Sequence, residues 1–227
     1  MRITYYGHSC FLLETAGKRL LLDPFVSGNP LANAIDVNSI RCDYIFLSHA
    51  HQDHSYDLET IATNNPGVVI VGIWEIHDFY SKKGFSTHPM NIGGWWQFDF
   101  GRVKMVAAVH SSSFSDGSYG GNPAGFVFDS TDGVLYFAGD TALTMDMQLI
   151  PMTCPPLDVA ILPIGSNFTM DVNDALLAAE FIRCNRIIGC HFDTFGFVKI
   201  DHAAAIAAFE AKGRDLELIE IGASLDI

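Results

Sequence analysis

The sequence predicts an α/β fold, two β-sheets packed face to face with helices outside. Three observations predict it. Short apolar strand signals crowd both halves of the chain, each half carries its own helical segments, and no linker, charge block or low-complexity tract divides the 227 residues. One domain is therefore expected over 1–227. A hydrophobic content of 49% against 17% charged residues is enough to fill a sizeable core.

In chain order, residues 3–6 and 10–14 read as strands, and a turn at Gly17-Lys18 leads into a third strand over 19–22. A Gly/Pro/Asn-rich loop covers 24–33. Residues 44–47 form a buried strand, 57–64 a helix, 68–71 a strand, and 76–83 a helix that stops at Gly84. The second half repeats the theme, with strands at 96–100, 103–109, 125–128 and 134–138. Hairpin signals fall at Phe100-Gly101 and Asp132-Gly133. Residues 157–162 form a core strand, and 171–183 a helix with Asp171 as N-cap. A strand at 186–189, a helix at 202–212 ended by Gly213 and a strand at 216–221 complete the reading.

Charge excludes several functions. Thirteen Lys plus Arg against 26 Asp plus Glu give a formal net charge of −13. Such a surface repels phosphate backbones and anionic lipids, so neither nucleic acid nor membrane is an expected partner. The longest apolar run, 68–74, is too short to span a bilayer. The amino-terminal run Phe11-Leu12-Leu13 is cut short by Glu14, which is no signal-peptide core. Five cysteines, an odd number without a Cys-x-x-Cys pair, fit reduced thiols in the cytoplasm. A small-molecule substrate is the expected partner. Self-association fits an acidic globular enzyme, although no residue specifies it.

The chemistry concentrates in Ser48-His49-Ala50-His51-Gln52-Asp53-His54, directly after the strand at 44–47. Three imidazoles and a carboxylate within six residues can converge on metal, and His-x-His-x-Asp-His supplies ligands enough for two ions. Two ions need more donors. Three candidates each close an apolar strand: His110 after 103–109, Asp140 after 135–138 through Gly139, and His191 after Ile187-Ile188-Gly189-Cys190. Strand ends hold ligands rigidly while the loops beyond shape a pocket. Cys190 abuts His191 and reads either as a ligand or as a small buried hydrophobe, the commoner use of such a thiol.

With these residues in place, the chain resembles the metallo-β-lactamase superfamily, whose ordered signature is His-x-His-x-Asp-His followed by His, Asp and His. The resemblance runs through GHSCFLLETAGKRLLLDPF, MNIGG, HSSS, GNPAGFVF, AGDT, PIGSNFTM and CHFDTF, nearly the whole chain. These segments are similar to a bacterial branch of metal-dependent hydrolases related to the ascorbate-6-phosphate lactonases. The resemblance implies the four-layer αββα sandwich with the site at one edge between the sheets. It implies that His49, His51 and His110 hold one metal, that Asp53, His54 and His191 hold the other, and that Asp140 bridges them. The di-iron redox branch of the superfamily typically has Glu where this chain has His51, which favours hydrolysis.

The expected cofactors are thus two divalent metal ions. Zn²⁺ best suits imidazole-rich donors, with Mn²⁺, Ni²⁺ and Fe compatible by ligand type. The expected reaction is attack by a metal-bound hydroxide on a small ester, lactone or amide, with Asp53 orienting the water and shuttling its proton. A phosphodiesterase acting on a small or lipid phosphodiester and an iron-dependent redox enzyme are the alternatives. His8 either donates a proton or polarises the substrate, or hydrogen-bonds a loop. Asp23 either partners a ligand histidine or stabilises the turn before Pro24, and Asn167 and Thr194 either face the pocket or serve turns. Residues 111–122, rich in Ser and Gly, are a candidate flap. Phe114, Tyr119, Phe168, Phe192 and Phe195 are expected as apolar walls, with Lys199 the one cation nearby.

Overall fold

The computed structural model describes residues 1–227 and divides the strands between two seven-stranded sheets. The first holds β1 (Arg2–Gly7), β2 (Cys10–Thr15), β3 (Lys18–Leu22), β4 (Tyr44–Phe46), β5 (Val69–Ile73) and β6 (Thr87–Met90). The second holds β7 (Trp95–Phe98), β8 (Gly101–Ala107), β9 (Ala124–Ser130), β10 (Gly133–Phe137), β11 (Val159–Pro163), β12 (Arg186–Cys190) and β13 (Asp215–Glu217). β14 (Ser224–Asp226) then returns to the first sheet, antiparallel to β1. The sheets are mixed: β3 to β6 run parallel, as do β10 to β13, while hairpins make the rest antiparallel.

Between the sheets lies an aromatic layer. Phe46 meets Phe126 at 5.4 Å and Phe128 at 4.9 Å, ring centroid to centroid, and Phe11 reaches Phe137 at 6.4 Å. Residues on the outer faces pack against helices. α1 (Gln52–Ser55), α2 (Leu58–Asn64) and α3 (Trp74–Lys82) belong to the first half, and Leu58, Ile61, Ile76 and Tyr80 enter its core. α4 (Ile150–Thr153), α5 (Val172–Phe181) and α6 (His202–Glu210) belong to the second. Ala175, Ala178 and Ala179 of α5 and Phe209 of α6 pack with Tyr136, Ala160 and Leu162. Asp171 caps α5 as expected, accepting from Asp174 N at 2.8 Å. The αββα sandwich is the observed fold.

The differences from expectation have local causes. The hairpin turns fall one residue early, because each glycine opens the returning strand. Gly101 has φ +145°, and a Cβ there would sit 2.4 Å from Asp129 O, so no other residue fits. The strand expected at 216–221 ends at Glu217. Leu218 still packs on the core beneath α5 and α6 while Ile219 and Ile221 pack on the larger core shared by the two sheets, and the chain crosses from β13 of the second sheet to β14 of the first. β6 and β14 were not expected; both are short edge strands with weak burial patterns.

Phe46 is fully buried at the centre of the aromatic layer. Phe46→Ala is expected to destabilise the fold by about 3–5 kcal/mol, through lost burial plus the cavity left behind. Urea unfolding of the variant checks this; a loss below about 1 kcal/mol would mean that the layer collapses around the gap.

Candidate metal centre

The site lies where strands of both sheets end. His8 follows β1, Asp23 follows β3 and the His-x-His-x-Asp-His run follows β4, all in the first sheet. His110 follows β8, Asp140 follows β10 and His191 follows β12, all in the second. Within the motif, His51 immediately precedes α1, which carries Asp53 and His54 on one turn. Gly139 lets Asp140 approach: its φ is +62°, and a Cβ would lie 2.7 Å from that of Ser48. His110 is tied to the same corner, since Val109 N–H donates to Thr141 Oγ1 at 3.0 Å and Ala142 N–H to Val109 O at 3.0 Å.

The seven expected ligands come together. His49, His51 and His110 offer donor atoms within 4.8 Å of one another, and so do Asp53, His54 and His191 together with His8. Asp140 stands between the groups. Its Oδ2 lies 3.6 Å from His110 Nε2, 3.3 Å from His54 Nε2 and 3.0 Å from His191 Nε2. His49 Nε2 and His51 Nδ1 converge at 3.0 Å.

Asp23 organises both groups. It is fully buried, and His54 Nδ1–H donates to its Oδ2 at 2.7 Å. Ser48 donates to the same carboxylate, through N–H at 2.8 Å and Oγ–H at 2.6 Å. With its proton so used, Ser48 Oγ accepts from His49 Nδ1, 3.0 Å away. One carboxylate thereby fixes the Nδ1–H tautomer of His49 and points Nε2 of both rings inward. Ser48, not singled out in the sequence, is the link; its position just before His49 was the available signal.

Protonation suits metal binding. Burial pushes His49 well below the ordinary histidine value, and pushes His51 and His110 down as well, so this trio presents lone pairs at neutral pH. Burial also opposes a charge on His54, but the Asp140 and Asp23 carboxylates outweigh it and hold the ring well above its usual value. Asp140 is correspondingly held far below the carboxylate range by His54 and His191, against its burial. His54 Nε2 and Asp140 Oδ1 are buried without a hydrogen-bond partner, a costly state unless something else occupies them. The donor set fits divalent metal.

Asp53 leaves 32% of its side chain exposed toward a cavity of about 730 Å³. His51, His110, Asp140 and His191 share its floor, and Ser111, Thr194, Phe168, Phe195 and Phe197 line its walls. No lysine or arginine lines it, Lys199 included. His8 is 1% exposed and pushed down to about 4 by burial and by His191 beside it. The neutral ring donates from Nε2 to Asp53 Oδ2 at 3.2 Å and accepts at Nδ1 from Thr194 Oγ1 at 3.0 Å.

Three expected walls lie elsewhere. Phe114 turns away from the site and stacks on Phe79 of α3 at 3.8 Å, because the 111–122 loop folds back on α3. Tyr119 lines a separate groove with Trp74, and Phe192 faces a second cavity behind His8. Asn167 is exposed at φ +58° and serves the turn before Phe168. Cys190 packs in the core, outside both donor groups. Phe197 was missed, since a lone exposed phenylalanine carries no sequence pattern.

Residues 2–191 match the family model described as Beta-lactamase superfamily domain. The chain belongs to the metallo-β-lactamase superfamily. Within it the chain stands among the metal-dependent hydrolases. It is 56% identical to a protein of Flavobacterium johnsoniae named "UPF0173 metal-dependent hydrolase", over 100% of both chains. Among solved structures, a metallo hydrolase of the archaeon Ignicoccus hospitalis superposes with TM-score 0.89 at 31% identity, covering 99% of this chain and 97% of that one. An isothiocyanate hydrolase from Delia radicum gut bacteria superposes with TM-score 0.80, covering 100% and 99%; at 19% identity it shares the metallo-β-lactamase fold alone.

Proposed function

We propose that the chain is a dinuclear enzyme that hydrolyses a small, weakly charged ester, lactone or amide. The observation that carries this reading is Asp140 Oδ2, within 3.6 Å of His110, His54 and His191 and so between two donor groups. His49, His51 and His110 would hold one divalent ion, Asp53, His54 and His191 the other, and Asp140 both. Zinc is our reading of the metal from the imidazole-rich donors. Bound there, the two ions supply an activated water and positive charge for an oxyanion.

The chain's own residues do the rest. Asp53, partly open to the cavity, orients the attacking water and takes up its proton. His8 acts through Asp53: with both ring nitrogens engaged inside the protein, it holds that carboxylate in place. The phenylalanine walls exclude water from the substrate's apolar part. The absence of lysine and arginine from the lining favours carbonyl substrates over polyphosphates, which call for cations beyond the metals. The acidic surface favours a small molecule over nucleic acid, and five unpaired cysteines support a cytoplasmic setting. No helix is long and apolar enough to cross a membrane.

Metal analysis of purified protein, followed by a panel of esters, lactones, amides and phosphodiesters, tests the proposal. About two equivalents of metal with turnover of carbonyl substrates is the expected result. Turnover confined to phosphodiesters would reverse the substrate assignment, and full activity after chelation would end the mechanism. His8→Asn is expected to lower kcat roughly 10–100-fold, as loss of a hydrogen-bonded support typically does, with metal stoichiometry retained. Equal kcat in variant and parent would remove His8 from the machinery.

A further inference from the structure

Two aromatic rings at the cavity mouth are held in water. Phe197 is 77% exposed and Phe168 52% exposed. Their rings meet edge to face, centroids 6.4 Å apart at 80°. Neither is loosely placed. Phe168 follows two successive left-handed residues, Ser166 at φ 64° and Asn167 at φ 58°, a backbone that asparagine adopts readily and serine only at a cost. The turn is closed by Ser166 N–H donating to Met170 O at 3.0 Å and Met170 N–H to Thr141 O at 3.1 Å. Phe197 rides the short turn Gly196–Val198, and Asp193 N–H donates to Val198 O across it at 2.8 Å. Val198 and Phe192 are buried on either side, so the core anchors the turn and leaves Phe197 outside.

The aromatic surface continues inward. Phe195, also in the cavity wall, faces the His8 ring at 5.4 Å and Phe25 at 6.3 Å. Paired exposed rings, fixed by anchored backbone at the entrance to a polar floor, mark a ligand-binding surface. No lysine or arginine in the lining would hold an anionic substituent there.

We propose that Phe168 and Phe197 select substrates carrying an uncharged aryl group, which lies across the pair, stacked on one ring and edge-on to the other. Such offset and edge contacts are the favoured aromatic geometries. This deepens, and rests on, the carbonyl-hydrolase reading, since the ring would seat the scissile carbonyl over Asp53 and Asp140.

The test separates the two. Binding of 2-naphthol, an uncharged bicyclic phenol, is measured by calorimetry on metal-stripped protein, where hydrolysis plays no part. Phe168→Ala and Phe197→Ala are expected to weaken binding about tenfold each, as lost ring burial predicts, with unchanged thermal melts. On metal-loaded protein, the preference for 2-naphthyl acetate over ethyl acetate in kcat/KM is expected to fall about 30-fold in the double variant. Parent and double variant binding naphthol alike, or a parent that fails to bind it below millimolar concentration, overturns the clamp. Naphthol binding that depends on both rings, with no ester turned over, leaves the clamp standing and refutes the ester reading.

Discussion

Asp140→Asn is expected to reduce kcat/KM by about 10³-fold or more, a loss of ~4 kcal/mol in transition-state stabilisation. The size follows from position. Its Oδ2 is near Nε2 of His110, His54 and His191 at once, so one substitution weakens both halves of the donor set. Bound metal is expected to fall from about two equivalents to one or fewer. Asparagine keeps the volume, so the fold is expected to survive, as far-UV circular dichroism would verify. Two tightly held metals in the folded variant would show that Asp140 is no bridge, and the dinuclear assignment would fall with it.

Stripping the metal is expected to lower the melting temperature markedly while leaving the protein folded at 25 °C. An ion that binds only the native state, at 1,000 times its Kd, adds about 4 kcal/mol. For a domain of this size that corresponds to roughly 8–16 °C. The chain is expected to stay folded without metal because His54, 2.7 Å from Asp23 Oδ2 and 3.3 Å from Asp140 Oδ2, can take a proton and offset their charge. Differential scanning calorimetry with chelator, and again after metal is restored, measures the shift. An unchanged melting temperature would mean that the buried imidazoles and carboxylates are a structural ion-pair network and no metal centre.

Much of this arrangement was legible in residue order. Strands such as β4 and β12 read as apolar runs because both faces are covered, and the ligands lie just beyond strand ends, in the loops and in the short helix α1. Edge strands were not legible. β6 is Thr-His-Pro-Met, half-exposed and interrupted by Pro89, and β14 is three residues with none buried. The cavity wall was legible only in part. Phe168 and Phe195 line it, but Phe114 follows His110 closely in sequence and still turns into the core beside Phe79. Which way a loop side chain faces depends on what the loop folds against, and periodicity carries no trace of that. Asp23 was legible as a partner for one histidine, one of its two readings, but its link through Ser48 to a second was hidden for a related reason: β3 and β4 are neighbours only in the sheet.

The return of β14 to β1 has a consequence for biosynthesis. Thr4 and Ser224 meet across 220 sequence positions, so a chain emerging amino-terminus first makes β1 long before its outer neighbour exists. Until then the outer edge of β1 offers unsatisfied amides to any passing strand. Closing so long a loop is slow. On the ribosome, before β14 is made, β1 is therefore expected to be open to chaperone capture or aberrant pairing along that edge.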